Sequence, residues 1–246
     1  MVNAFLWGLL ATSSLIIGGM LASNFTLKKS TLGKIMAFGA GTLIAAVSYE
    51  LVFEALQLAK GTGYPVAGFF GGAFTYYFSE TFIDRMNLKN KPRGGETQEQ
   101  SALLVPMVLA IILDGIPESV VIGLGLFEGG KVSIAMLAAV FISNLPEAIA
   151  GTTGMIASGW SKKKITALWL IIAVVCAAST VAGYSVFSAA SNNWLSFIQA
   201  FAGGAILVML ANSMMPESFE YGGKKAGIFT VLGFYISVVM LMVEEL

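Results

Sequence analysis

The stretch Leu103–Gly151 carries Asp114-Gly115-Ile116-Pro117-Glu118 in one long apolar run and Ser143-Asn144-Leu145-Pro146-Glu147 in the next. Each insert lies near the middle of a run long enough to cross a bilayer as a helix, which takes about 20 residues. A lone carboxylate at that depth costs roughly 2.5 to 3.5 kcal/mol on insertion scales. Asp114, Glu118 and Glu147 all sit there, and neither run contains a lysine or arginine to neutralise them. Ionisable groups kept inside a membrane at such cost mark a functional site.

The spacing points to a cation. Asp114 and Glu118 are four apart, so on a helix they project from one face and both can reach one ion. Pro117 cannot donate to the carbonyl of Leu113, and Pro146 cannot donate to that of Ile142, which loosens two further oxygens. Ser143 and Glu147 repeat the four-residue spacing, and Asn144 offers an amide oxygen. All these donors are oxygens, the ligand type of a hard or borderline divalent cation. Metal and proton compete for the same carboxylates, so binding is expected to release protons and to weaken as pH falls.

The surrounding chain supplies the setting. With 57% hydrophobic and 11% charged residues and a mean hydropathy of +0.81, its apolar surface exceeds what a water-soluble globule of this size can bury. The expected fold is all-α and polytopic, a single transmembrane domain over 1–246. Its eight helices are expected at about 3–23, 34–58, 65–84, 102–126, 132–158, 165–189, 194–218 and 226–243, in a 3+2+3 arrangement with inverted repeats. One long polar connection, 85–101, follows the third helix. The first apolar run is read as a retained span, not a cleaved signal peptide. Twelve of the 14 basic residues fall in odd-numbered connections, which predicts those connections on the cytoplasmic side and both termini outside.

A repeat is visible at an offset of 163 residues: Phe38-Gly39-Ala40-Gly41 against Phe201-Ala202-Gly203-Gly204, and Glu54 against Glu217. The second and seventh helices run in opposite directions, and inverted copies of this kind build alternating-access transporters. Glu50 and Glu54 fall in the outer half of the second helix, and Met214-Met215-Pro216-Glu217 in the inner half of the seventh. Glu54 is read as an outer-side ligand and Glu217 as an inner-side one. Glu80 and Asp84, beside Arg85, are expected at the cytoplasmic interface. Small residues at four-residue spacing (Gly115, Ser119, Gly123; Asn144, Ala148, Thr152) allow close helix approach, and would serve a homodimer as readily as the internal fold.

These residues resemble the Zrt-/Irt-like protein (ZIP) family of divalent metal transporters, through paired Pro-Glu turns in the fourth and fifth of eight helices. The resemblance rests on about ten residues: Pro117, Glu118, Pro146 and Glu147 match the family's P-E pairs. It implies a mid-membrane metal site formed by Asp114, Glu118, Ser143, Asn144 and Glu147, with zinc as the family default. Asp114 and Ser143 stand where the family places histidines, and Gly115 where it places asparagine. The chain has no histidine at all, so oxygen ligands are expected to favour harder ions such as manganese or iron(II).

The reading is therefore a transporter of divalent metal cations into the cytoplasm, not an enzyme, in the cell membrane. No cofactor is expected, the ion being cargo, and a net charge of +0 gives no field for nucleic acid. Two alternatives stand beside it. One is a non-transporting scaffold that has lost its site, against which the retained carboxylates argue. The other is an intramembrane hydrolase using Asp114, which lacks a second catalytic aspartate in a neighbouring helix and any histidine. The single cysteine, Cys176, lies in an apolar run and is read as packing.

Overall fold

The computed structural model describes residues 1–89, 104–129, 132–187 and 191–244. These form eight helices: α1 Val2–Asn24, α2 Lys29–Leu58, α3 Tyr64–Lys89, α4 Leu104–Gly129, α5 Ile134–Ala157, α6 Lys162–Phe187, α7 Asn192–Gly222 and α8 Lys225–Glu244. Seven of them are long and apolar enough to cross a membrane, and the chain is an integral membrane protein. The eighth, α3, carries Glu80, Asp84 and Arg85 in its second half, and its mean hydropathy falls short of the others.

Several helices outrun the apolar windows. α2 begins at Lys29 instead of 34, α6 at Lys162 instead of 165, and α7 continues to Gly222 instead of stopping at 218. Hydropathy windows stop where charge begins. Lysine is nevertheless a good helix former, and its long stem lets the ammonium reach the interface. α3 likewise continues to Lys89, past the expected start of the long connection at 85, and most of that connection lies outside the described residues.

In space the helices pack as two bundles of four. One bundle contains α1, α4, α5 and α6, where α1 packs along α5 and α6, and α4 along α6. The other contains α2, α3, α7 and α8, where α3 packs along α7 and α8 along α2. The seam between the bundles runs mainly where α2 meets α5, with lesser meetings of α4 with α7 and α3. Hydrogen bonds follow the same division. Thr12 of α1 donates to Ala173 O of α6, and Ser196 of α7 to Ala55 O of α2. Among the described residues, bonds that cross the seam include Tyr76 of α3 donating to Asp114 of α4 and Ala135 N of α5 donating to Glu244 of α8 at 2.8 Å.

The sequence repeat has a physical counterpart in the second bundle. A methyl on Gly41 of α2 would fall on the Thr230 carbonyl of α8, and one on Gly204 of α7, 163 residues later, on the Phe69 carbonyl of α3. In the same way, Gly233 of α8 lies against the Phe38 carbonyl and Gly72 of α3 against that of Phe201. The start of α2 lies beside the end of α7, since Gly33 has no room for a side chain against Gly222, so these two helices run antiparallel. Each also contains a π-helical segment, Val47–Phe53 in α2 and Leu210–Met214 in α7. Val47 and Leu210 are again 163 apart. Such segments widen a helix locally and often accompany function.

At one end of the molecule Lys162 Nζ donates to Asn24 Oδ1 at 3.0 Å and Lys29 stands 5.3 Å over the Tyr221 ring. The first, fifth and seventh connections therefore share one basic end. In the first bundle, fully buried Trp169 of α6 donates from Nε1 to Thr152 Oγ1 of α5 at 2.8 Å. Thr152→Val keeps the shape but orphans this N–H, and is expected to cost about 1–3 kcal/mol, read as a lowered midpoint of thermal unfolding in detergent.

Candidate metal centre

Helices α4 and α5 run through Pro117 and Pro146 without a break and face each other at the two Pro-Glu turns. Glu118 is 1% exposed, and both of its oxygens are held from α5. Ser143 Oγ lies 3.3 Å from Oε1, and Asn144 Nδ2 donates to Oε2 at 3.2 Å. An ionised carboxylate only accepts hydrogen bonds, so one placed in apolar surroundings needs donors of this kind. Asn144, expected to supply an amide oxygen, here presents its N–H instead. Ser143 Oγ is also 3.0 Å from the Val140 carbonyl, so its single proton has two acceptors to choose between.

Glu147 lies within electrostatic reach of Asp114, Glu118 and Glu217. Asp114, expected to share an ion with Glu118, also has a partner outside that group. Its Oδ1 accepts from the Tyr76 hydroxyl, across the seam. Among the described residues no three acidic or cysteine side chains converge closely enough to hold a metal ion as they stand. Bringing Asp114, Glu118 and Glu147 onto one ion therefore requires side chains to turn, Asp114 first.

Position 115 is packed closely against α6. A methyl on Gly115 would come within 2.9 Å of Cys176 Sγ, because α6 passes directly against it. An asparagine has no room at that position while Cys176 is there. Gly115→Asn is accordingly expected to lower stability by about 1–3 kcal/mol through overpacking. Adding Cys176→Ala should restore part of the loss, as thermal unfolding of the single and double variants would show. Gly39 does a similar service across the seam, since a methyl there would lie 3.1 Å from the Ser143 Cα.

The flanking carboxylates divide. Glu217 of α7 is half-buried and within reach of Glu147. Glu54 is exposed and is not brought to the α4–α5 group. It lines a cavity of about 40 Å³ with Glu50, Ser133 and Gln199, and the walls of that cavity include Leu51, Val121, Ile122 and Met136. Those four belong to the main apolar core, which closes the path between Glu54 and Glu118.

The structure adds residues that the sequence reading missed. Glu80, expected at the interface, is half-buried and accepts from Asn212 Nδ2 at 2.7 Å and Ser213 Oγ at 3.0 Å, both in the π segment of α7. Tyr76 is 3% exposed on a helix whose other aromatic residues mostly face outward. The signal was present in the sequence: Tyr76 and Glu80 stand four apart and form one polar stripe down a helix otherwise marked by Phe70, Phe74, Phe78 and Phe82 on another face.

Comparison with known proteins is consistent with this arrangement. No family model matches the chain. It is 28% identical over 207 residues to the zinc transporter GufA of Myxococcus xanthus, a match that covers 79% of this chain and 80% of that protein. Along most of both sequences, then, this membrane protein is similar to a zinc transporter.

Proposed function

We propose that the protein is a carrier of divalent metal cations, zinc foremost, that binds its ion between α4 and α5 through Asp114, Glu118 and Glu147. Ser143 and Asn144 position Glu118, and Glu217 receives the ion on the side of the basic end. The observation that carries this reading is Glu118: a carboxylate 1% exposed, in a helix pair without a basic residue, held ready by two donors from the facing helix. A group so placed is expensive in an empty site and gains its return when a cation neutralises it. Similarity to a zinc transporter supports the choice of cargo.

The route follows from the seam. The cavity at Glu54 is closed from the site by apolar side chains, whereas Glu147 has within its reach Glu217, which stands in the last turns of α7 beside the basic end. Movement of the α1-α4-α5-α6 bundle against the other would expose the site to each side in turn, and with the basic end cytoplasmic the ion moves inward from outside the cell membrane. Purified protein in liposomes, offered zinc, cadmium, manganese, iron(II) and magnesium separately, tests the reading. Accumulation of zinc above protein-free liposomes is the expected result. Uptake of none of the five overturns it.

A further inference from the structure

We propose that Tyr76 is a latch that ties ion binding to movement between the two bundles, an inference that rests on the metal-carrier reading of Asp114. Three observations carry it. First, the Tyr76 hydroxyl belongs to the α2-α3-α7-α8 bundle, and the Asp114 carboxylate that accepts its proton belongs to the other. Second, the phenol is mounted on a braced helix. One turn along α3, Glu80 is fastened to Asn212 and Ser213 of α7, and the α3–α7 pair is drawn together where Gly72 and Gly204 let backbones touch. Tyr76 itself is 3% exposed and packs in the main core. Third, Asp114 as oriented by Tyr76 does not converge with Glu118 and Glu147 into an ion site.

The consequence is mechanical. A buried hydroxyl needs a partner, and a buried carboxylate needs donors or a cation. Without the ion, each satisfies the other, and the bond pins the seam near its middle. To ligate an ion beside Glu118 and Glu147, Asp114 turns away from Tyr76. The hydroxyl then loses its acceptor, and the seam loses one of the bonds that cross it. Ion occupancy is thereby read out as freedom of one bundle to move on the other. Tyr76 is thus a positioning residue acting through Asp114, and it is not itself a ligand.

Tyr76→Phe removes one oxygen and keeps the ring, so packing is retained. With the competing donor gone, zinc affinity is expected to rise roughly 2- to 10-fold, the equivalent of one hydrogen bond. The bundles should also no longer wait for zinc. The readout is the distance, by pulsed electron paramagnetic resonance in lipid nanodiscs, between spin labels at Lys163→Cys and Lys224→Cys. These two exposed lysines of the basic end lie on different bundles. In otherwise wild-type protein, zinc should shift the distance distribution. In Tyr76→Phe the zinc-free distribution should already be shifted or broadened, with little further change on adding zinc. Asp114→Asn, which keeps an oxygen for Tyr76 but loses the charge, should bind zinc weakly and stay in the zinc-free distribution.

Three results would overturn the latch: a Tyr76→Phe variant with wild-type affinity and an unchanged zinc-dependent shift, a wild type that binds zinc with no shift, or an Asp114→Asn variant that shifts without zinc. Failure of the wild type to bind zinc at all would instead bring down the metal-carrier reading, and the latch with it. The wild-type binding measurement therefore tells the two failures apart.

Discussion

Changing Glu118 and Glu147 together to glutamine is expected to cost at least a hundredfold in zinc affinity while leaving the protein folded and no less stable. Each substitution removes one negative charge from a group that would otherwise be paired with the cation, and losing one partner of a buried ion pair costs about 3–5 kcal/mol, where 1.4 kcal/mol is tenfold in affinity. The stability half of the expectation is the more telling. At position 118 the glutamine oxygen can accept from the Asn144 amide, and its N–H can donate to Ser143 Oγ, whose own proton then goes to the Val140 carbonyl 3.0 Å away. It also removes the expense of charge inside the bilayer. A site retained for cargo stabilises poorly and binds well, so the variant should trade in the opposite direction. Zinc titration against a competing chelator gives the affinity, and thermal unfolding of the metal-free protein gives the stability. A variant that unfolds at much lower temperature without metal would mark these carboxylates as structural.

The largest effect on folding is expected at the paired glycines of the second bundle. Gly204→Leu would drive a side chain into the Phe69 carbonyl, and Gly41→Leu into that of Thr230. Backbone cannot move aside as a flexible side chain can, so each pair of helices must separate. Helix association in lipid depends on just this closeness, having little hydrophobic drive of its own. A loss of at least about 3 kcal/mol is expected for either variant, enough to abolish recovery of folded protein from membranes. Gly227→Leu, at a position with nothing within 4 Å of the added carbon, serves as the control and should be neutral or slightly stabilising. Equal tolerance of leucine at Gly204 and Gly227 would remove the close-packed α3–α7 pair from the account.

How far the sequence could be read follows from what each feature depends on. The apolar windows announced themselves through composition, and the lysines displaced only their ends. The repeat was visible because it sits in residue identity, Phe38 against Phe201 and Gly41 against Gly204, the residues that set backbone against backbone in the structure. The pairing of α4 with α5 followed from two Pro-Glu turns of equal depth. The division into bundles could not be read, because uniformly apolar helices carry no stripe that says which neighbour each face meets. Asp114 was assigned to its own helix's carboxylate from four-residue spacing, whereas the choice between Glu118 and Tyr76 depends on how α3 is placed. The π segments were equally hidden, since nothing in Val47–Phe53 or Leu210–Met214 breaks an ordinary helical pattern. Glu80 looked interfacial because it stands four residues from Asp84 and five from Arg85. Its two donors come from a helix 132 residues further along the chain.

The most direct test is the initial rate of zinc uptake into liposomes holding equal amounts of folded wild-type protein and of the Glu118→Ala, Glu147→Ala variant. Saturable uptake is expected for the wild type and only the protein-free background for the variant. Equal rates for the two, with both proteins folded, would contradict the claim that the ion passes between α4 and α5.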